Sequence, residues 1–270
     1  MTAGTTRPRE VTLGQHAPLS ADGNVSRLVA DGVADICFGH PKSNSLPATV
    51  LRDLAVSIAD VSVRADVRVI TVRSYGTGAF CAGASFDELS SIGDAVQGKA
   101  FFMGFARVIG SMIKSAKPIV VRVHGKAVGG GVGIVAAADY AIATSNASVR
   151  LSELAVGIGP FVVGPAIERK IGTGAFGAMA IDADWRDAEW AERHGLYARV
   201  VNDSGQLDAE VARRVAALIE ANPDAVMGIK RAVWAGTDDW PALLEQRAET
   251  SGTLVLSQFT RDAIARFGAK

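Results

Sequence analysis

The sequence predicts an α/β protein with a helical C-terminal region. Strand-like and helix-like stretches alternate as far as residue 153, the strand-like runs are short and β-branched, and the last part has helical periodicity with few strand signals. We therefore divide the chain into a flexible N-terminal segment with the first strand at 1–24, an α/β core at 25–200 and a helical region at 201–270.

Length and charge exclude several classes of protein. With 270 residues, 49% of them hydrophobic, the chain can bury a sizeable core. Its 28 basic and 28 acidic residues balance, so no net charge attracts nucleic acid or a membrane surface. Two cysteines, Cys37 and Cys81, provide neither a metal-ligand spacing nor a disulfide framework. We expect no metal and no nucleic-acid partner.

Two features predict where the protein resides. Residues 1–10 are polar and lack the apolar centre of a secretory signal. The longest weakly charged apolar stretch, 127–138, is about 12 residues long, short of the ~20 that cross a bilayer. We therefore expect a cytoplasmic protein that does not engage a membrane.

The first elements are a hairpin and a helix. Residues 25–38 contain two β-prone runs separated by Asp31-Gly32, which is a strong hairpin signal. After a loop, Pro47 suits the first turn of a helix, with Ser45 as its N-cap. The apolar face of that helix is formed by Val50, Leu51, Leu54, Ala55 and Ile58.

Further strands and helices lead to the centre of the chain. Residues 67–72 and 140–144 read as strands, and 79–89 is a glycine-containing loop that enters a short helix. Between them lies a stripe of large apolar residues at helical spacing, which we interpret as core without a role in a site. The stripe consists of Phe101, Phe102, Phe105, Ile109, Met112 and Ile113.

The pattern of predicted elements changes after residue 153. A loop marked by glycine and proline, 157–164, is followed by segments with helical periodicity. The predicted helices cover 166–180, 185–194, 207–221, 223–235 and 240–267.

The stretch 118–153 carries the strongest functional signal. A β-branched strand ends near His124, passes three consecutive glycines and enters a helix of small residues. Glycines at such a junction let the backbone approach a ligand, and free N–H groups at a helix N-terminus suit an anion or a developing oxyanion. Glu153 follows in apolar surroundings, which predicts proton chemistry beside a carbonyl.

Each part of this signal has an alternative interpretation. Gly129, Gly130 and Gly131 also suit close helix–sheet packing without a ligand. A dinucleotide-binding fingerprint is a second alternative, because Gly131 begins a G-x-G-x-x-A run with an acid about twenty residues later. Glu153 itself is equally compatible with a structural ion pair to an arginine, for which the neighbouring candidates are Arg150 and Arg169.

Several ordered motifs resemble one family. AFCAGASFDEL at 79–89 is similar to a first oxyanion-loop motif, F-[SC]-A-G-[AG]-D, and HGKAVGGGVGIVAAADYAIAT at 124–144 to a second, N-G-x-[AC]-x-G-G-G. LSELAVGIGP at 151–160 matches the segment that supplies an acid, and 186–201 resembles a later A-x-x-A-x-x-x-G-L-V stretch. Over residues 25–270 the chain thus resembles the crotonase (enoyl-CoA hydratase/isomerase) superfamily.

The resemblance implies a fold, an assembly and a substrate. The fold is a spiral of ββα repeats, with two roughly perpendicular sheets wrapped by helices and a helical C-terminal region. The assembly is a homotrimer or a dimer of trimers. The substrate is an acyl-CoA thioester, which brings coenzyme A with it, so no separate cofactor is expected.

The resemblance also implies roles for particular residues. The backbone N–H groups of Ala84 and Gly130 would hold the thioester oxygen, and Glu153 would be the acid and base. The other implied contacts belong to the substrate, with Lys42 near a phosphate, Ala82 against the adenine and the chain end near coenzyme A. The implied substrate-binding residues are Lys42, Ala82, Gly83, Gly129, Phe161, Phe267 and Lys270.

The chain departs from the family pattern at four places. Hydratases of the family carry a first glutamate just after the glycine triplet, where this chain has Gly133. Ser85 replaces an Asp in the first motif, His124 replaces an Asn, and Phe161 stands in a glycine-rich loop where its ring can narrow the acyl pocket. We expect His124 to be neutral and hydrogen-bonded.

A single acid favours one kind of chemistry. Two carboxylates hold the water in common hydratases of the family, whereas isomerase members move a proton with one. We therefore expect an enoyl-CoA isomerase or a one-acid hydratase that acts through an enolate. The alternatives are a decarboxylase of a malonyl-type thioester, a non-catalytic acyl-CoA-binding protein and an NAD-dependent oxidoreductase.

Overall fold

A computed structural model describes residues 14–268, and within them the chain forms eleven strands, eleven α-helices and one 3₁₀ turn. The strands are β1 Asn24–Ala30, β2 Val33–Gly39, β3 Ser45–Leu46, β4 Val69–Ser74, β5 Gly83–Ala84, β6 Ile119–Val123, β7 Ala127–Val128, β8 Tyr140–Thr144, β9 Ser148–Arg150, β10 Arg186–Asp187 and β11 Arg199–Val201. The helices are α1 Ala48–Ser62, α2 Phe86–Ser91, α3 Ala95–Lys114, α4 Gly130–Ala136, α5 Gly164–Ile171, α6 Thr173–Asp182, α7 Ala188–Arg193, α8 Ser204–Glu220, α9 Pro223–Val233, α10 Trp240–Leu254 and α11 Gln258–Gly268. The 3₁₀ turn is Leu154–Val156.

The main sheet has six strands in the order β1-β2-β4-β6-β8-β11. β1 and β2 form the predicted antiparallel hairpin, and Asp31 and Gly32 both have positive φ, as a tight hairpin turn requires. The remaining neighbours pair in parallel. A three-stranded sheet, β10-β9-β7, and a two-stranded pair, β3-β5, stand beside it, so the predicted mixed α/β architecture is confirmed.

Both faces of the main sheet are covered, which explains its nearly continuous apolar strands. One face lies in the large core with α1, α3 and α4. The other face packs against α8, through a separate cluster formed by Val33, Val69, Val120, Ile142, Leu207, Val211, Val215 and Ile219. The site described below lies where the segments that follow β4 and β6 meet.

A buried ion pair joins the C-terminal helices to this core. Lys230 of α9, which is 4% exposed, donates to the carbonyls of Met112 and Lys117 and to Oδ2 of Asp139 at 2.8 Å. Asp139 also accepts from the indole N–H of Trp234. Removing one partner of such a buried ion pair would leave the other charge buried and unpaired, so this contact stabilises the packing of the helical region on the core.

Three local predictions were wrong. The segment predicted as one helix at 166–180 is two helices, because Gly172 between them has φ +79°. The helix predicted at 240–267 likewise ends at residue 254 and resumes at 258. Ser45 does not cap α1: its hydroxyl donates to the carbonyl of Ala84, and the N-cap residue is Pro47.

Within residues 14–268, none of the helices combines the length and the hydropathy that crossing a bilayer demands.

Candidate active site

A cavity of about 120 Å³ lies between the two glycine-containing loops, the segment around residue 153, and helices α3 and α10. Its walls are largely apolar, with Ser152, Glu153 and Ser251 as the polar side chains among the described residues. The lining residues are Ala82, Gly83, Ala84, Phe86, Leu89, Phe102, Phe105, Val128, Gly129, Gly130, Ser152, Glu153, Val156, Ile158, Gly159, Pro160, Phe161, Val162, Val163 and Ser251.

The first loop presents the backbone of Ala84. Short strand β5 pairs in parallel with β3, and the N–H of Ser85 donates to the carbonyl of Leu46 at 3.0 Å. Because successive N–H groups of an extended strand point to opposite sides, the N–H of Ala84 points away from β3. Gly83, with φ +94°, makes the turn that precedes it.

The second loop presents the backbone of Gly130. This residue begins α4, so its N–H has no partner within the helix and lies at the positive end of the helix dipole. No side chain fits there, because a Cβ on Gly130 would lie 2.1 Å from Cε1 of Phe105. The backbone itself is therefore the group that a ligand meets.

Hydrogen bonds hold the two loops together. The N–H of Cys81 donates to the carbonyl of Lys126 at 3.1 Å, and the N–H of Val128 donates to the carbonyl of Cys81 at 2.9 Å. A Cβ built on Gly83 would lie 3.9 Å from the backbone nitrogen of Gly130. The structure thus brings both predicted donor segments to one cavity.

Glu153 borders the same cavity and lies just after β9. Its Oε2 atom is buried and has no hydrogen-bond partner among the described residues. Burial raises the pKa of this carboxyl to about 7, although the backbone N–H groups of Glu153 and Ser152 oppose the shift. A carboxyl poised near neutral pH suits both the removal and the return of a proton.

Neither predicted arginine pairs with Glu153 in the part of the chain that the structure describes. Arg150 donates instead to the carbonyl of Ala183 at 2.6 Å, and Arg169 donates to the carbonyls of Val233 and Ala235. The alternative interpretation of Glu153 as half of a structural ion pair is therefore wrong.

Gly129 makes room for the carboxyl. It has φ +50° and ψ −112°, and a Cβ at this position would lie 2.7 Å from Oε1 of Glu153. Both the backbone conformation and the close approach require glycine. This contact places the acid directly beside the residue that precedes Gly130.

The position of the absent first acid is filled with hydrocarbon. A Cβ on Gly133 would lie 2.6 Å from Cγ1 of Val163 and 3.3 Å from Cδ1 of Ile109, and both neighbours are buried. Val163 also lines the cavity. A second carboxylate has no space here.

The remaining predicted residues divide into three groups: two that line the cavity, one that lies outside it, and two whose side chains are not described. Ala82 and Phe161 line the cavity. Lys42 is exposed and forms an ion pair with Asp87 of α2, outside the cavity lining. Phe267 belongs to α11, whose backbone is described there but whose side chain is not, and Lys270 lies outside the described residues.

The structure adds residues that the sequence analysis missed. The aromatic stripe of α3 is not only core, because Phe102 and Phe105 form part of the cavity wall. Ser251, on α10, also lines the cavity. No local motif marks these residues, since helical periodicity identifies a buried face without showing what that face meets.

The side chains of His124 and Cys81 do not line the cavity. His124 is 4% exposed and neutral, because burial lowers its pKa to about 4, but neither ring nitrogen has a partner within residues 14–268. The prediction that it is hydrogen-bonded was therefore wrong. The Cys81 side chain is buried, and burial raises the pKa of its thiol to about 12, so the side chain serves as packing while the backbone joins the two loops.

The glycines of the G-x-G-x-x-A run are packed against protein. A Cβ on Gly131 would lie 2.8 Å from Cβ of Cys81, and a Cβ on Gly133 would lie 2.6 Å from Cγ1 of Val163. In the described part of the chain, no three His, Cys, Asp or Glu side chains are grouped to hold a metal ion.

Comparisons with known proteins agree with this geometry. The enoyl-CoA hydratase/isomerase family model matches residues 29–265. The chain is 28% identical to a short-chain-enoyl-CoA hydratase of Clostridium acetobutylicum over 87% of this chain and 90% of that protein. It is 31% identical to an (E)-benzylidenesuccinyl-CoA hydratase of Thauera aromatica over 79% and 83% of the two chains. The structure of an enoyl-CoA hydratase from Bacillus halodurans superposes with a TM-score of 0.82 at 20% identity, covering 90% of this chain and 99% of that one.

Proposed function

The chain belongs to the enoyl-CoA hydratase/isomerase family, and we propose that it moves a proton along the acyl chain of an enoyl-CoA thioester through an enolate. The observation that carries this proposal is the single carboxyl of Glu153, whose Oε2 atom is buried and unpaired among the described residues, beside two backbone-donor loops. One acid is sufficient to take a proton and return it, and no water has to be activated.

The proposed reaction begins with proton removal. The N–H groups of Ala84 and Gly130 bind the thioester oxygen of a 3-enoyl-CoA. Glu153, as a carboxylate, takes a proton from C2, and the electron pair moves into a dienolate whose negative oxygen both N–H groups stabilise. One such donor contributes about 3 kcal/mol to the transition state.

Proton return completes the reaction. The protonated Glu153 gives the proton to C4, the double bond settles between C2 and C3, and the product is the 2-enoyl thioester. The carboxyl ends in its initial state, so the reaction balances without another reactant. In this proposal, the coenzyme A part of the substrate lies along Ala82 and Lys42 and reaches the chain end near Phe267 and Lys270.

Hydration with one acid is the second candidate function. It is supported by the names of the relatives, which include hydratases for short-chain enoyl-CoA and for benzylidenesuccinyl-CoA. The hydrocarbon around Gly133 weighs against it, because a water held only by Glu153 lacks a second acceptor to orient it.

The first prediction concerns Glu153→Gln. We expect this variant to lose 3-enoyl isomerisation by a factor of about 10²–10⁴, because the amide cannot accept the proton. Glu249→Gln, which changes an exposed glutamate of α10, serves as the matched control and should keep full activity. Turnover of 3-enoyl, 2-enoyl and malonyl-type thioesters is followed by mass spectrometry in D₂O.

The reaction products distinguish the candidate functions. Deuterium exchange with migration of the double bond supports isomerisation, a mass gain of one water supports hydration, and loss of CO₂ supports decarboxylation. Full activity of Glu153→Gln on every substrate would refute the proposed mechanism. Binding of thioesters by wild type without any turnover would instead indicate an acyl-CoA-binding protein.

A further inference from the structure

The cavity contains a hydroxyl for which the proposed reaction has no use. Ser251, on α10, lines the cavity and is 1% exposed. It lies about a hundred residues along the chain from Glu153, on a helix that the motifs of the family do not include.

Two glycines bring this serine to the cavity. A Cβ on Gly252 would lie 2.5 Å from the backbone nitrogen of Lys99, and a Cβ on Gly98 would lie 2.6 Å from the carbonyl oxygen of Gly252. The backbones of α3 and α10 are therefore in direct contact at this point. Ser251, next to that contact, is held beside the α3 segment that carries Phe102 and Phe105.

The Ser251 hydroxyl makes none of the hydrogen bonds found among residues 14–268, whereas the Ser251 carbonyl accepts from the N–H of Val255 at 3.0 Å, as the helix requires. Thr250 and Thr253 on the same helix donate their hydroxyls to carbonyls one turn earlier. A hydroxyl that lines a largely apolar cavity and is not used by the helix can bind a polar group of a ligand.

The size and chemistry of the cavity limit what the hydroxyl can meet. At about 120 Å³, the cavity is somewhat smaller than an engineered protein cavity of about 150 Å³ that holds benzene. A short acyl group, with about six heavy atoms, fits a cavity of this size. The described walls are hydrocarbon apart from Ser152, Glu153 and Ser251, and Ser251 is the most buried of these three residues.

We propose that Ser251 selects a short acyl group carrying a hydroxyl oxygen near its far end, which it binds through a hydrogen bond. This inference rests on the proposed acyl-CoA substrate, but not on the direction of proton transfer. It assigns Ser251 to substrate recognition and leaves the reaction to Glu153.

Binding of two inert thioesters of equal size tests the proposal. Hexanoyl-CoA and 5-hydroxypentanoyl-CoA differ only in that a terminal methyl is replaced by a hydroxyl, and neither has a double bond to isomerise. We expect wild type to bind the hydroxylated thioester at least tenfold more tightly, by calorimetry, because the apolar analogue leaves the Ser251 hydroxyl unpaired.

Three variants test whether Ser251 causes the preference for the hydroxylated thioester. Ser251→Ala should reduce the ratio of the two dissociation constants to about one, and Ser251→Cys, which keeps the shape of the side chain, should do the same. Thr253→Ala, on the exposed side of the same helix, should leave the ratio unchanged. Thermal melting shows whether each variant folds.

Two results would overturn the proposal. One is equal binding of both thioesters by wild type, and the other is a tenfold preference that survives in Ser251→Ala and Ser251→Cys. Because the ligands do not react, these results do not depend on whether the enzyme isomerises or hydrates. If neither thioester binds at all, the proposed acyl-CoA function fails together with this inference, whereas binding of both thioesters without a Ser251 effect refutes this inference alone.

Discussion

Two regions at one cavity differ in whether their packing leaves space for a carboxyl side chain. At Glu153, a glycine with positive φ leaves space for a carboxyl, and no described side chain neutralises it. At Gly133, the corresponding space is filled by Val163 and Ile109. The comparison shows that no polar gap stands in place of the missing acid, because hydrocarbon side chains occupy the space beside Gly133.

This hydrocarbon also affects the acid that is present. An isolated carboxyl in an apolar wall keeps a raised pKa, because burial penalises its charged form and no ion pair compensates. A second carboxylate nearby would bring a further like charge and a polar site for water. The hydrocarbon wall thus suits proton transfer that excludes water.

The largest loss of activity that tests this contrast is expected from Gly129→Ala, which changes the glycine beside Glu153. The new methyl would lie 2.7 Å from Oε1 of Glu153, so the carboxyl must move. A displacement of about 1 Å is expected to reduce kcat/KM about 100-fold, and the unfavourable backbone conformation to cost about 1–3 kcal/mol of stability. Steady-state kinetics and urea unfolding measure the two effects.

Gly177→Ala is the matched control for that substitution. This glycine lies within α6, and nothing is within 4 Å of the position where its Cβ would stand. Activity should be unchanged. If Gly129→Ala were as active as Gly177→Ala, the Glu153 wall would not require its glycine.

The next effect concerns the hydrocarbon wall, through Gly133→Glu. The inserted side chain would collide with Val163 and bury a carboxyl, so we expect a loss of about 2–4 kcal/mol in the free energy of unfolding and no gain of hydratase activity. Urea unfolding and a 2-enoyl-CoA hydration assay provide the measurements.

A paired variant sharpens the result. Gly133→Glu combined with Val163→Gly removes the colliding side chain and should recover part of the lost stability. A stable Gly133→Glu single variant that hydrates 2-enoyl-CoA would show that the wall is no barrier to a second acid.

The smallest effect in this series is the pH dependence of the reaction. The base must be ionised, and burial raises the pKa of Glu153 to about 7, so kcat/KM should fall about tenfold for each pH unit below about 7 and level off above it. Burial lowers the pKa of His124 to about 4 and raises that of Cys81 to about 12, so neither group titrates in this range. A rate profile from about pH 5 to 9 that stayed flat would contradict the role of a buried Glu153.

Much of the site was predictable because its signals are local. The two glycine-bearing loops, the strand before each of them and the acid after the second are contiguous patterns, whereas the resemblance to the family identified Gly133 as the position of the first acid. The β1–β2 hairpin was equally clear, since Asp31-Gly32 determines its turn. Local conformational preferences explain why these predictions needed no knowledge of the fold.

What fills the space around these loops was decided by tertiary structure alone. Phe105 excludes any side chain at Gly130, and Val163 closes the space beside Gly133. Arg150 and Arg169, the two candidates from the sequence, bind backbone carbonyls instead of Glu153. Ser251 enters the cavity only because Gly98 and Gly252, far apart in the chain, bring two helices into backbone contact. Sequence periodicity shows which face of a helix is buried, but the partner of that face depends on packing between distant segments, and packing determines the chemistry of this site.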